Sequence, residues 1–195
     1  EVALAEVMAR NRLYTEAAHL DASGRGDTLR AAVGATAGLR EGRIAYTVPV
    51  GATGATLRVG YERTRSTVIE EPFDPLDIES RGESGLAGVT FVLQRSLDVE
   101  LGLGVQLERR TSATTMLGEP FSFYAGANDG RATVVPLRFV QHYVRRPADA
   151  VVALRSTISV GLEAMGATGN ETAPDGQFVA WLGQVQGAWR PAGVG

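Results

Sequence analysis

"DVELGLGVQLERR", residues 98–110, alternates without a break. Val99, Leu101, Leu103, Val105 and Leu107 fall on one side, and Glu100, Gly102, Gly104, Gln106 and Glu108 on the other. Strict alternation marks a β-strand with one apolar face. In a soluble protein the apolar side meets a core and the polar side meets water. Two of the five polar-side positions are nevertheless glycine. Which side of this strand faces outward decides the fold.

The same habit recurs on both sides of this stretch. Period-two patterns run through 12–22 (weakly), 28–35, 43–50, 55–64, 85–93, 133–144, 151–162 and 178–189. In 55–64, Leu57, Val59 and Tyr61 oppose Arg58, Gly60 and Glu62. In 133–144, Leu137 and Phe139 oppose Arg138 and His142, and in 151–162, Leu154 and Ile158 oppose Arg155 and Gly161. Arg30 takes the polar side of 28–35. No strong helix pattern separates these segments. About nine consecutive strands without crossovers predict an all-β, antiparallel up-and-down meander. Residues 1–12 carry Leu4, Val7 and Met8 and read as weakly helical. They are taken as a linker or a poorly matching first-strand region, with the sheet over 13–190 and a short end at 191–195.

The connections sort into two kinds. Residues 51–54, 95–98 and 146–150 are tight turns, whereas 66–84, 111–131 and 164–177 are long and rich in Pro, Gly, Asp and Asn. Alternate loops of a meander lie at the same end, so one end carries turns and the other long loops; 38–42 is a short exception on the long side. This asymmetry is that of a transmembrane β-barrel, with short periplasmic turns and longer outer loops. Such a barrel turns its apolar face to lipid and its polar or small face to a lumen. Glycine on the inner wall then leaves little packing unmade and eases curvature. Tyr46, Tyr61, Tyr143, Trp181 and Trp189 suit membrane interfaces. A soluble up-and-down barrel or a sandwich also alternates, so periodicity alone leaves that alternative open.

Composition narrows the classes. The chain has 195 residues, enough for a sizeable core. Its formal charge of -3 argues against a nucleic-acid partner. All 19 basic residues are Arg, a pattern expected of a GC-rich genome. With no Cys, disulfides and thiolate metal sites are excluded. No apolar run reaches the ~20 residues of a membrane helix. Glu1 is not a natural initiator, which implies a processed chain or a fragment. The 24 glycines are about twice the usual share.

Two long loops share Glu-Pro-Phe, in "EEPFDPLDIES" (70–80) and "LGEPFSFYAGANDG" (117–130). The first precedes "SGLAGVTFVL", the second leads into "VVPLRFVQHY", and "APDGQF" (173–178) runs into "VAWLGQVQ". Together with "GRGDTL" (24–29) and "YTVPVGATGATLRVGY" (46–61), this series resembles the barrel of two-partner secretion transporters. These form the hemolysin secretion/activation family (ShlB, FhaC and HecB type) of the Gram-negative outer membrane, and the branch common in cyanobacteria is the most similar. The resemblance covers about residues 20–190. It implies the N-terminal part of a sixteen-stranded barrel preceded by periplasmic POTRA domains. It also implies an unfolded exoprotein taken from the periplasm as partner, outer-membrane lipid and lipopolysaccharide as surroundings, and no nucleotide, metal or other cofactor. The family's Val-Arg-Gly-Tyr/Phe motif does not occur here; "SRGES" (80–84) is the nearest string. Another outer-membrane barrel, of insertase or porin type, is the near alternative. A soluble β-domain binding ligands with its long loops is the alternative of another class.

The lumen-facing set expected from alternation is Arg30, Arg58, Glu100, Glu108, Arg138 and Arg155. The lipid-facing set is Leu57, Val59, Leu101, Leu103, Val105, Leu137, Phe139, Leu154 and Ile158. An arginine turned to lipid near the midplane costs ~2–4 kcal/mol, which fixes the direction of the arginines. Residues 66–84 hold six acids and one base, Arg81, but no EF-hand spacing, and read as a solvated loop. Pro72 and Pro120 restrict the glutamate before each and set loop shape. His19 and His142 are the chain's two histidines, and no Gly-x-Ser-x-Gly elbow is present. "GLG" (102–104) lacks the rest of a dinucleotide fingerprint. No catalytic constellation emerges, and the chain is read as a non-enzyme.

Overall fold

The computed structural model describes the backbone of all residues except 1, 10–11, 52–53, 124–126, 128, 170–175 and 191–195, and side chains from residue 13 onward within that set. The strands are β1 (Val2–Ala9), β2 (Arg12–Leu20), β3 (Thr28–Ala35), β4 (Leu39–Val50), β5 (Ala55–Thr67) and β6 (Glu79–Arg95). They continue with β7 (Val99–Met116), the short β8 (Glu119–Pro120) and β9 (Arg131–Val134), then β10 (Pro136–Arg145), β11 (Ala150–Gly161) and β12 (Val179–Trp189). All twelve belong to one sheet in the order β1-β2-β3-β4-β5-β6-β7-β10-β11-β12, with β8 and β9 paired to the far end of β7. Every pairing is antiparallel between strands that follow one another along this path. The sheet is open, with β1 and β12 at its edges.

One expectation is corrected. Residues 2–9 are not helical but form β1, paired with β2 from Val2↔His19 to Ala9↔Arg12. Three apolar residues give only a weak helical stripe. The unpaired backbone of a neighbouring strand outweighs so small a preference, because strand formation depends on its partner.

The two ends differ as the loop lengths predict, but two of the long loops are shorter than expected, because 79–84 belongs to β6 and 111–116 to β7, where the two strands pair beyond the alternating stretches. At one end lie the turns Ser96–Asp98 and Arg146–Asp149 and the β2–β3 turn, residues 21–27. At the other lie the connections over 68–78, 117–135 and 162–178, with the 36–38 turn as the short exception. The strands flanking the long loops outrun the turn-end pattern: β6 has 17 residues and β7 has 18, against about 9–11 for a strand crossing a bilayer.

The long loops are tied to the sheet and to one another. The first contains a 3-10 turn, Asp74–Leu76, and Leu117 N–H donates to its Leu76 carbonyl at 2.9 Å. The third donates from Leu162 N–H to Val135 O and from Thr168 N–H to Thr133 O. In return Thr168 Oγ1 accepts from Thr133 N–H at 2.8 Å. The two Glu-Pro-Phe segments differ: Glu70 O accepts from Phe73 and Asp74 N–H in the first, whereas Glu119 and Pro120 are β8 in the second. The sequence alone gave no reason to separate them, because the difference comes from β7, which extends far enough to pair with the second only.

The β2–β3 turn is organised by Asp27, which is 1% exposed. Its Oδ1 accepts from Ser23 N–H at 2.9 Å and Ser23 Oγ–H at 3.0 Å. Its carbonyl accepts from Asp21 N–H, and Asp21 Oδ1 accepts from Gly26 N–H. The Ser23 amide is the main cause that holds the Asp27 carboxyl at about 2, against the opposing effect of burial.

Little of the sheet is packed as a core. The buried apolar residues are Ala32, Ala55, Val135 and Val140. Leu103, Val105, Phe139 and Leu154 are each 40% exposed, and Trp181 and Val185 on the β12 edge exceed 70%.

Candidate functional site

Residues directly opposite in an antiparallel sheet share a face. The register therefore carries a face across the whole meander. One row reads Val48, Leu57, Val89, Val105, Phe139, Ile158 and Trp181 across seven strands. The row beside it on the same face contains Val59 and Leu137, and further rows contain Leu103 and then Leu101 with Leu154. All nine residues expected to face lipid thus lie on one face. It is interrupted by Gln141 and Ser156, which pair with each other in register, and Ser156 Oγ accepts from Trp181 Nε1–H at 3.0 Å.

The opposite face is charged. Arg58, Gly88, Gln106, Arg138 and Ser159 form one row, and Arg30, Ala45, Gly60, Leu86 and Glu108 another. Glu100 and Arg155 complete the six residues expected to face a lumen, all on this side. A register shift between Val92 and Gln94, with Leu93 as the extra residue of a bulge, brings Arg95 opposite Glu100.

Three charge clusters stand on this face. Glu108, 5% exposed, accepts from Ser84 Oγ–H at 2.7 Å and pairs with Arg110 at 2.9 Å and with Arg138. Two guanidiniums and a hydroxyl saturate a carboxylate that would otherwise be costly to bury. In the second cluster Glu16 accepts from Tyr14 O–H at 2.8 Å and from Arg43 at 2.9 Å. The Arg43 guanidinium also donates to Tyr14 Oη and lies 5.6 Å from the Tyr14 ring centre. Beside it, Arg30, Arg58, Arg43, Glu16 and Glu62 line an open depression of about 310 Å³. In the third, Glu100 is 3.7 Å from both His142 and Arg146, and Arg155 stands opposite His142. The structure thus joins Arg138 to Glu108 and brings Arg30 near Arg58, while Arg155 stays apart from both groups.

The glycines of the opening stretch are explained by their cross-strand partners. His142 lies across Gly102, and a Cβ there would collide with the imidazole. Gln106 crosses Gly88, where a Cβ would meet its Cγ at 2.8 Å. Glu41 covers Gly34 and Thr64 covers Gly82 in the same way. Glycine on this face therefore makes room for a polar neighbour to lie flat along the wall. The expected easing of curvature does not by itself foresee this crowding. Sequence reasoning also missed Tyr14, Glu16, Arg43, Ser84, Arg110 and His142 as members of the clusters. Alternation was a signal for their face, but no sequence signal gave their pairings.

No group of metal-ligating side chains occurs among the described residues. No helix there is long and apolar enough to cross a membrane.

Comparison with solved structures finds a partial match. CdiB from Escherichia coli superposes with a TM-score of 0.74 at 17% identity, covering 94% of this chain and 34% of that one. CdiB from Acinetobacter baumannii gives a TM-score of 0.57 at 13% identity, covering 77% of this chain and 28% of that one. The likeness is to CdiB. The chain spans about a third of the length of the CdiB structures it matches. At this identity the likeness to CdiB is one of fold, and the open meander is a partial β-barrel of the CdiB kind. No protein-family model and no curated protein sequence matches the chain.

Proposed function

We propose that this chain is part of an outer-membrane β-barrel transporter of the two-partner secretion type, of the hemolysin secretion/activation family. The observation that carries the reading is the apolar face, on which Val59, Leu103, Val105, Phe139, Leu154 and Trp181 are exposed while Glu108 on the other face is buried and paired with Arg110 and Arg138. A bilayer would cover that face, since unpaired apolar patches of this extent mark contact surfaces. The apolar run of β7 from Val99 to Leu107 matches the ~9–11 residues of a crossing strand. The likeness to CdiB, a two-partner secretion transporter, supports the same reading.

In this reading β1 to β12 all belong to the barrel, so the barrel takes in most of residues 1–12 as well as 13–190. POTRA domains precede it in the full-length protein. The charged face lines the passage, and an unfolded exoprotein moves along it. Arg30, Arg58 and Arg155 offer guanidiniums to carboxylates and carbonyls of the moving chain. Glu108 with Arg138 fixes the wall. Side chains laid flat over glycine keep the bore clear. No step in this transport involves bond chemistry on the protein.

These 195 residues contain no Cys, so a cysteine placed among them is unique once any elsewhere in the full-length protein is changed to Ser. Single cysteines at Leu103 and Gln106 are introduced into the full-length protein in vesicles. A water-soluble maleimide labels Gln106→Cys and spares Leu103→Cys; equal labelling of both refutes the barrel. Transport itself is read from secretion of the partner and from conductance. The double change Arg58→Gln/Arg155→Gln alters both, and no change in either removes these arginines from the passage.

A further inference from the structure

Beyond the apolar band, the outward side of the sheet changes character at the long-loop end. By register, Arg40, Arg63, Arg65, Arg81, Arg109 and Arg131 all lie on the same face as Leu57 and Leu107, one to four rows further on. Among the described residues, two carboxylates on the strands of that face pair with them. Glu79 is shared by Arg65 at 2.8 Å and Arg81 at 3.1 Å. Glu83 is 3.5 Å from Arg63. Arg109 spends its Nε–H on the Met165 carbonyl at 2.9 Å, and Arg40 and Arg131 make no ion pair among the described residues. Arg63, Arg65 and Arg81 each keep half or more of their side chain exposed. On the strands at the turn end of this face, Arg145 is the single arginine among the described residues. The basic girdle is therefore confined to one rim.

A depression of about 380 Å³ opens where the band meets the girdle. Tyr61, Ala87 and Leu107 line its apolar part, Arg109 and Glu83 its charged part, and Met165 of the third long loop one side. Its floor is open because Gly85 carries no side chain and a Cβ there would touch nothing.

We propose that this rim binds a phosphorylated glycolipid of the outer leaflet, the lipid A portion of lipopolysaccharide. Its phosphates sit on Arg63, Arg81 and Arg109, and an acyl chain enters the depression over Gly85. The inference rests on the membrane-barrel reading, with the long loops outside. Guanidiniums recognise phosphate through paired, charge-assisted hydrogen bonds. Clustered arginines beside a membrane surface draw anionic headgroups. An excess of arginine on the lipid side of one rim matches a leaflet whose headgroups are anionic.

The test uses the full-length protein in maltoside micelles doped with diphosphoryl lipid A, with the same lipid stripped of phosphate, or with phosphatidylglycerol. Lipid retained by the protein is counted by native mass spectrometry. Diphosphoryl lipid A is expected to be retained over both others. Arg63→Gln/Arg81→Gln/Arg109→Gln should lower its retention about tenfold, while Arg30→Gln/Arg58→Gln on the other face leaves it unchanged. Gly85→Leu should lower it severalfold by filling the depression, with the arginines intact. Equal retention of phosphorylated and stripped lipid A, or of lipid A and phosphatidylglycerol, overturns the proposal. So does undiminished retention by both the arginine and the Gly85 variants. The cysteine labelling described above reports on the barrel itself. A protein that passes that test and shows no phosphate preference loses the lipid site alone.

Discussion

The two faces of β7 solve opposite problems. On one side Leu103 and Val105 are each 40% exposed, and Leu101 is half-buried. On the other, Gly102 and Gly104 are buried, and Glu108 is held by three donors. A soluble sheet does the reverse, burying its leucines and leaving its charges to water. On the proposed membrane-barrel reading, the difference reflects where organisation is placed when a sheet has lipid in place of a core. Apolar residues need only be apolar, because lipid conforms to any shape. Polar residues on the inner wall must find one another, since each lies against its neighbours across the strands.

The sharpest break of this comparison is to exchange the faces locally. Leu103→Arg is expected to destabilise the bilayer-folded protein by ~2–4 kcal/mol, while Gln106→Arg on the charged face has little effect. Urea titration of folding into vesicles measures both. Equal effects would mean that the faces are not distinguished by lipid.

Within the charged face, Glu108→Ala strands Arg138 and Arg110 and removes the acceptor of Ser84. Charge-assisted bonds of this kind contribute ~1.5–3 kcal/mol each when buried, and partial access of water to the wall lowers the total toward one such bond. The same titration reads it, and the double variant Glu108→Ala/Arg138→Ala should recover part of the loss.

A smaller effect tests the reading of the glycines. Gly102→Ala places a methyl against the His142 ring and is expected to destabilise by ~1–3 kcal/mol, as overpacking does. In the His142→Ala background the same change should be nearly neutral. Gly104→Ala, where a Cβ meets its nearest neighbour at 3.4 Å, should cost less. If Gly102→Ala is equally harmful with and without His142, curvature and not the ring is the reason for the glycine.

The smallest effect lies outside both faces, in the β2–β3 turn. The Asp27 carboxyl is held at about 2, below the ~3.9 of an unfolded chain. Its contribution to stability is therefore complete above pH ~4 and is lost as pH falls through about 2. Asp27→Asn should abolish that part of the acid slope, seen as a flatter dependence of the urea midpoint between pH 4 and 2. A slope identical to wild type would remove Asp27 as its source.

Much of this was legible before any fold was known. Alternation located all nine predicted strands, and β5, β7, β10 and β11 each displayed two unlike faces. Loop lengths sorted the two ends. These features are local, and a period of two survives whatever the strand pairs with. The first strand was not legible, because Val2–Ala9 owes its form to β2 and not to its own pattern. Nor was the site, whose members come from strands far apart in the chain.

The sequence by itself determined nine of the strands, their two faces and the order in which they pair, since antiparallel pairing is the simplest outcome for consecutive strands without crossovers. Tertiary structure alone decided which residues meet. Gly102 faces His142, Glu108 faces Arg138 and Ser84, and arginines of five strands gather on one rim. The physical reason is register. A slip of one residue between two strands would keep every alternation intact yet turn each of these contacts to the opposite face.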